Sequence, residues 1–439
     1  MLVSVKSHRR SQRLPYPSRW KKIKYDLKIL SRVPEEEKKQ QSHPIDHLNL
    51  ALTQPLATPS WHRQHITIPP ADSPSRFGQF GGLFAPELQM DALLGLPALF
   101  HGSLSSDAFW NDFNACPLNR PSPLQLAQNL TKAAGGANIW LKREDLNPFA
   151  SNQARNVIGQ IIFAYHIGKR EIVIECGFSG HGLVCASLCA RMNMKCTIIM
   201  GASDIISQPD AVDKMKQLGA TVVAAHSPGK DKGALRAATN EALRYSLSHL
   251  ESAYHITTNT VGPHPIPTIM RTFQSLLGEE VKESFCKQKG RSKYRPDALI
   301  SPSGPAALGM FAPFIDDKNV RLIAVEATDA APLSHGSIGV MYGCKTLLLQ
   351  DDDGQILPAH SVAPDLNFPC AGPELAHWKD IGRLETVTAS SEEAVRGLRV
   401  LVEHEGIVPS LATGHAVLEA LRIARELGNG RDVVLLVSG

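Results

Sequence analysis

Ile172-Val173-Ile174-Glu175-Cys176-Gly177-Phe178-Ser179-Gly180-His181-Gly182 runs from an apolar β-branched stretch into a glycine-rich loop, and an apolar helix follows as far as Ala190. A strand with no polar alternation is buried on both faces, which is the condition of a parallel sheet covered by helices. Working outward, the unit repeats. Upstream, Ala154, Val157, Ile158, Ile161, Ile162 and Tyr165 form one helical stripe, which predicts a helix starting near 152 with Ser151 or Asn152 as its cap. Downstream come strands at Cys196–Met200 and Thr221–Val223, with helices over 208–218 and 233–250. After an irregular stretch around Gly262-Pro263-His264-Pro265, Ala298–Ile300, Leu322–Val325 and Val433–Val437 read as buried parallel strands, with helices over 391–404 and 411–427. The fold class is therefore α/β, with two doubly wound open-sheet domains and a ligand cleft at the carboxyl ends of the strands.

Composition sets the outer bounds. The 439 residues carry 46 Lys+Arg and 42 Asp+Glu, net +4, with 43% hydrophobic residues, which excludes disordered and collagen-like classes. The charge is uneven: residues 1–75 are net +7 and the remainder net −3. Residues 1–75 also hold 9 of the 30 prolines and read as a basic, mostly disordered extension. A solvated basic arm is the simpler account of it, and a mitochondrial presequence the alternative, with the cytoplasm as the expected compartment. Domains are expected at 76–270, with part of 76–119 packing on the other lobe, and at 271–439. Neither a membrane span nor a nucleic-acid surface is indicated. The eight cysteines lack CxxC spacing, so no metal site and no disulfide framework are expected.

Several segments are similar to the tryptophan synthase β-subunit family. They are Phe77–Gly82 with Pro86-Glu87, Arg120-Pro121-Ser122-Pro123-Leu124, Lys142-Arg143-Glu144-Asp145-Leu146-Asn147, Val261–Pro265, Lys345-Thr346 with Leu349-Gln350-Asp351, Glu405-Gly406-Ile407 and His415-Ala416. The likeness runs in order from about Phe77 to Gly439. It implies the tryptophan synthase β-like fold type II of pyridoxal-phosphate (PLP) enzymes, β-replacement chemistry with PLP as electron sink, and homodimers, with an α-type partner subunit left open.

Position by position, the resemblance implies altered chemistry. The family's imine-forming lysine falls on Gln153, flanked by Asn152 and Arg155, and a carboxamide cannot form an imine. The family's phosphate loop falls on Ser303, Gly304, Ala306 and Ala307, where Pro302 and Pro305 have no N–H to offer. The substrate-carboxylate loop carries Phe178, Ser179 and Gly180. The family's closing arginine–aspartate pair becomes Ser207 and Asn367, an acidic position becomes Ala412, and Ser438 matches the serine that meets the pyridine nitrogen. Glu175 matches the catalytic glutamate; with His181 and Arg155 it forms the candidate catalytic set, although a strand-end cap, a structural hydrogen bond and an interface residue are the respective alternatives.

The resulting expectation is an enzyme that is not a functional tryptophan synthase. It would use no cofactor and run acid/base or shape-directed lyase or cyclase chemistry on an aromatic or polyketide-like small molecule of specialised metabolism. A non-catalytic pseudoenzyme binding a ligand or partner, and residual PLP-dependent lyase chemistry through another lysine, are the alternatives.

Overall fold

The computed structural model describes residues 61–116, 121–227, 234–290 and 293–439. Two open sheets carry the architecture. Their strands are β1 (Leu124–Leu126), β2 (Asn138–Arg143), β3 (Glu171–Glu175), β4 (Lys195–Gly201), β5 (Thr221–Ala225), β6 (Ala253–Ile256), β7 (Ala298–Pro302), β8 (Arg321–Ala327), β9 (Glu385–Ala389) and β10 (Asp432–Val437). The smaller sheet has the order β5-β4-β3-β6 and is parallel throughout. The larger has the order β9-β8-β7-β10-β2-β1, parallel except for the β1 edge.

The central strands of each sheet are buried on both faces because helices cover them, whereas the edge strands β5 and β9 are partly exposed. All five residues of β3 and all six of β10 are buried. The helices that matter for the site are α1 (Ala154–His166), α2 (Ser179–Arg191), α3 (Ala234–Ser248), α4 (Pro305–Phe311), α5 (Ser391–Glu405) and α6 (Leu411–Leu427). Val157, Ile158, Ile161 and Ile162 of α1 join Val184 and Leu188 of α2 in one core beneath the smaller sheet. On one face of the larger sheet, Leu130, Ile139, Ile300, Ile323 and Leu435 pack against Val417, Leu421 and Ile423 of α6. Gly397 of α5 lets the Gly414 backbone of α6 come so close that a Cβ there would lie 2.1 Å from its carbonyl oxygen.

Three expectations change here. The sheets do not divide the chain at residue 270, since β1 and β2 lie in the larger sheet with the C-terminal strands. Within the stretch 1–75, residues 1–60 lie outside the described residues, but Trp61–His65 is helical and Ile66 is buried, so order begins earlier than the basic composition implied. Finally, α1 begins at Ala154 after Gln153 with no side-chain cap; the Ser151 hydroxyl meets His181 Nδ1 and accepts from the Gln153 N–H ahead of the helix. Among the described residues, no helix is long and apolar enough to cross a membrane.

Candidate functional site

A cavity of about 60 Å³ lies where the carboxyl ends of the two sheets face each other, as strand topology in open α/β sheets requires. Its walls come from Asn152 and Gln153 ahead of α1, Thr258 to Thr260 after β6, Pro302 to Ala306 at the β7–α4 turn, and Asp365, Leu366 and Phe368 on a later loop. Among the described lining residues Asp365 is the one formally charged side chain; no lysine or arginine contributes.

Gln153 is 3% exposed. Its Nε2 donates to the Thr258 carbonyl at 2.8 Å and to His181 Nε2 at 3.2 Å, while Oε1 has no partner. The orientation of the amide follows from these neighbours, since a flip would set Oε1 against the Thr258 carbonyl oxygen. Accepting from Gln153 leaves the His181 Nε2 lone pair in use, so its proton sits on Nδ1 and donates to Ser151 Oγ at 2.8 Å. Asp365 Oδ2 stands 3.5 Å from the same Nε2. His181 is thus a buried base whose exchangeable nitrogen is shared between a cavity-lining amide and a cavity-lining carboxylate. Asp365 was missed in the sequence because it sits on a loop 184 positions away, with no local pattern to mark it.

Glu175 is where the strand-end reading put it, but it is fully buried and saturated. His255 Nε2 donates to Oε2 at 2.6 Å, and Thr257 Oγ1, the Thr258 amide and Asn259 Nδ2 donate to Oε1 at 2.8, 2.9 and 3.2 Å. This network ties β3 to the loop after β6 that forms a wall of the cavity, so Glu175 positions that wall and does not line it.

Arg155 does not line the cavity, which corrects its place in the candidate catalytic set. Gln153 precedes α1 and lines the cavity, whereas Arg155 sits in the first turn of α1 with its side chain buried among other charges. The guanidinium makes a bidentate pair with Glu280 at 2.8 and 2.7 Å and reaches Glu144 at 2.7 Å, all three side chains buried. Lys142 completes the group, donating to Glu280 at 2.6 Å and to the Ser122 carbonyl at 2.7 Å. Two cations and two carboxylates balance. Burial lowers the Lys142 pKa, whereas the charges of Glu144 and Glu280 outweigh burial and raise that of Arg155.

The remaining expected residues separate into two groups. Asn152, Ser303, Gly304, Ala306 and Ala412 line the cavity; Ala307, Phe178, Ser179, Gly180 and Ser438 do not. The loop over 177–182 is closed by a side chain, with Gln208 Oε1 accepting from the Ser179 amide at 3.0 Å and Gln208 Nε2 donating to the Gly177 carbonyl at 2.8 Å. Phe178 packs edge-on to His181, ring centroids 5.3 Å apart. Asn367 lines a neighbouring groove, its Oδ1 without a partner, and Ser207 folds back on the Asp204 carbonyl, so no cross-cleft pair replaces the ion pair that the resemblance implies. Ser438 is held by Ser410 Oγ at 2.8 Å and by Thr413. Arg120 lies outside the described residues.

Comparison with known proteins agrees with this architecture. A family model described as pyridoxal-phosphate dependent enzyme matches residues 116–439. A protein of Saccharomyces cerevisiae described as tryptophan synthase is 39% identical over 378 residues, which cover 83% of this chain and 53% of that protein. The chain thus spans about half the length of the curated relative it matches. The expectation of a cleft that uses no cofactor is overturned by the family match, which makes PLP the group this fold implies. The cavity residues do not fit its covalent attachment: the buried amide of Gln153 stands at the expected lysine, no described lining residue is a lysine, and the loop over 302–307 lacks two N–H groups at its prolines.

Proposed function

The chain belongs to the pyridoxal-phosphate-dependent enzyme family, and on that premise we propose that it is a tryptophan synthase β-like enzyme acting on a small molecule in this cavity by proton transfer at His181, without an imine at residue 153. The observation that carries the reading is the placement of His181 Nε2 between Gln153 and Asp365. In the neutral imidazole this nitrogen is the free base. On taking a proton it loses the Gln153 donor bond and gains a carboxylate neighbour, so the charged product state is stabilised where it forms. Glu175 keeps the wall in register, and burial of Gln153 and His181 limits water access at the imidazole.

A second reading, PLP-dependent lyase chemistry through another lysine, is favoured by the family match and by the likeness to the yeast protein. Lys142 is poorly placed for it, since its ammonium is held by Glu280 and the Ser122 carbonyl. The specialised-metabolism substrate, homodimer assembly, an α-type partner and a cytoplasmic location also belong to the proposal.

The experiment compares wild type with His181→Gln in metabolite extracts, with and without added PLP, following substrate–product pairs by mass spectrometry. The proposal expects a pair converted by wild type and lost in the variant, with no borohydride-reduced adduct at residue 153. Conversion that survives His181→Gln, or that is abolished by borohydride with another lysine labelled, supports the second reading instead.

A further inference from the structure

Five sulfurs fall in the twelve residues Cys185–Cys196: Cys185 and Cys189 on α2, Met192 and Met194 in the turn, and Cys196 on β4. Cys185 and Cys189 are one helical turn apart and so share a face. The chain reverses at Asn193, in a left-handed conformation (φ 51°), and enters β4, bringing Cys196 to them. The three cysteine sulfurs thereby lie within 4.8 Å of one another, with Cys185 Sγ and Cys196 Sγ 3.6 Å apart, and all three are buried free thiols. They stand in the core shared by α1 and α2, apart from the cavity, and their wide spacing along the chain hides the convergence.

A single buried cysteine is a small hydrophobe. Three whose sulfurs converge from a helix and a strand can all bond one atom. With bonds of about 2.3 Å, the length of a zinc–thiolate bond, three sulfurs around one centre stand about 3.5–4 Å apart, so the observed spacing closes onto such a centre by small side-chain rotations. Charge selects the centre. Val184, Leu188, Met192 and Met194 share this core, so a monovalent or divalent metal cation held by three thiolates would leave net negative charge among apolar side chains. A trivalent centre leaves none. The surface is one layer away, because Ala190, Arg191, Asn193 and Lys195 are exposed, and Cys196, beside Lys195, keeps 6% exposure.

We propose that Cys185, Cys189 and Cys196 form a three-thiol binding site for trivalent arsenic, taken up as its neutral oxyacid. Arsenous acid exchanges its three hydroxyls for the three sulfurs: three As–O bonds break, three As–S bonds form, and each thiol proton leaves with a hydroxyl as water. Arsenic stays trivalent, and nothing is oxidised or reduced. Both the entering acid and the bound product are neutral, which is the condition an apolar core sets. The site is built by the α2–β4 turn and is independent of the reading of the cavity.

The test incubates the folded full chain with arsenite alone, removes the excess by gel filtration, and records intact mass and arsenic content. One arsenic per chain is expected, with a mass gain of one arsenic less three hydrogens, since a two-thiol adduct retains a hydroxyl. Arsenic-edge X-ray absorption should show three sulfur neighbours and no oxygen. Cys189→Ala and, as a second variant, Cys185→Ala are each expected to abolish that adduct, with thermal unfolding reporting that the fold is intact, whereas Cys344→Ala retains it. Should both variants fail to fold, the mass and absorption readings on wild type decide the matter. Zinc chloride under the same conditions is expected to be lost on gel filtration. No arsenic retained by the folded chain, an adduct that keeps a hydroxyl, a three-sulfur adduct that survives Cys189→Ala, or zinc held as firmly as arsenic overturns the proposal.

Discussion

His181 Nε2 lies 3.2 Å from Gln153 Nε2 and 3.5 Å from Asp365 Oδ2, so a donor and an acceptor meet at the same ring nitrogen. The amide fixes the resting tautomer. Nitrogen NMR of ring-labelled protein is expected to show the His181 proton on Nδ1, donated to Ser151, and Gln153→Leu is expected to release that preference. A resting state with the proton on Nε2 would contradict the assigned network.

The four buried charges around Arg155 form one electrostatic unit. Arg155→Met leaves Glu144 and Glu280 with only Lys142 between them, which is expected to cost about 3–5 kcal/mol by urea unfolding. The double variant Arg155→Met with Glu144→Gln should recover a large part of that loss, because one cation and one carboxylate remain. Loss of less than about 1 kcal/mol in the single variant would show that the cluster is solvated and not desolvated as described.

Glu374 is buried beside Arg271, and burial outweighs that charge to push its carboxyl up to about 7. Its Oε2 has no hydrogen-bond partner, nor does Arg271 Nε, so the 3.3 Å pair is a charge contact only. A carboxyl with a raised folded-state pKa contributes stability that is fully present below its unfolded value near 4.5 and is lost as pH rises through about 7. The change amounts to about 3 kcal/mol. Denaturant midpoints from pH 4 to 8 should fall accordingly in wild type and fall less in Glu374→Gln. Equal slopes would refute the assignment.

Gly180 gives a steric test of the loop that faces α1. A Cβ there would lie 2.4 Å from Phe178 Cε1 and 2.5 Å from the Phe149 carbonyl oxygen, and the second of these is backbone. Gly180→Ala is expected to destabilise by about 1–3 kcal/mol and to displace Phe178 from the His181 ring, visible as a shift in the histidine ring proton resonances. An unchanged spectrum and stability would mean the loop is looser than described.

Periodicity carried the fold well, because buried parallel strands such as Ile172–Ile174 and Val433–Val437 and the striped face of α1 report burial locally. The resemblance added the family and located Gln153. Both were weaker where the answer depended on distant partners. Arg155 was read by its sequence neighbour and not by its buried charge partners, and Ser151 was read as a cap although its hydroxyl meets His181 and the Gln153 N–H. Asp365 and Thr258 reach the cavity on loops whose approach is set by tertiary packing, so nothing in their own segments marked them. Glu175 was found by its position at the end of β3, but its four donors come from His255 on β6 and from the loop after β6.

The central claim is that chemistry here does not pass through an imine to residue 153, and one spectroscopic measurement addresses it most directly. Wild type and Gln153→Lys are each incubated with PLP, scanned in the visible, reduced with borohydride and mapped for modified lysine. The prediction is no modified residue at position 153 in wild type, and a new absorbance band with labelling at position 153 in the variant. Failure of the variant to gain the band and the label at position 153 would contradict it.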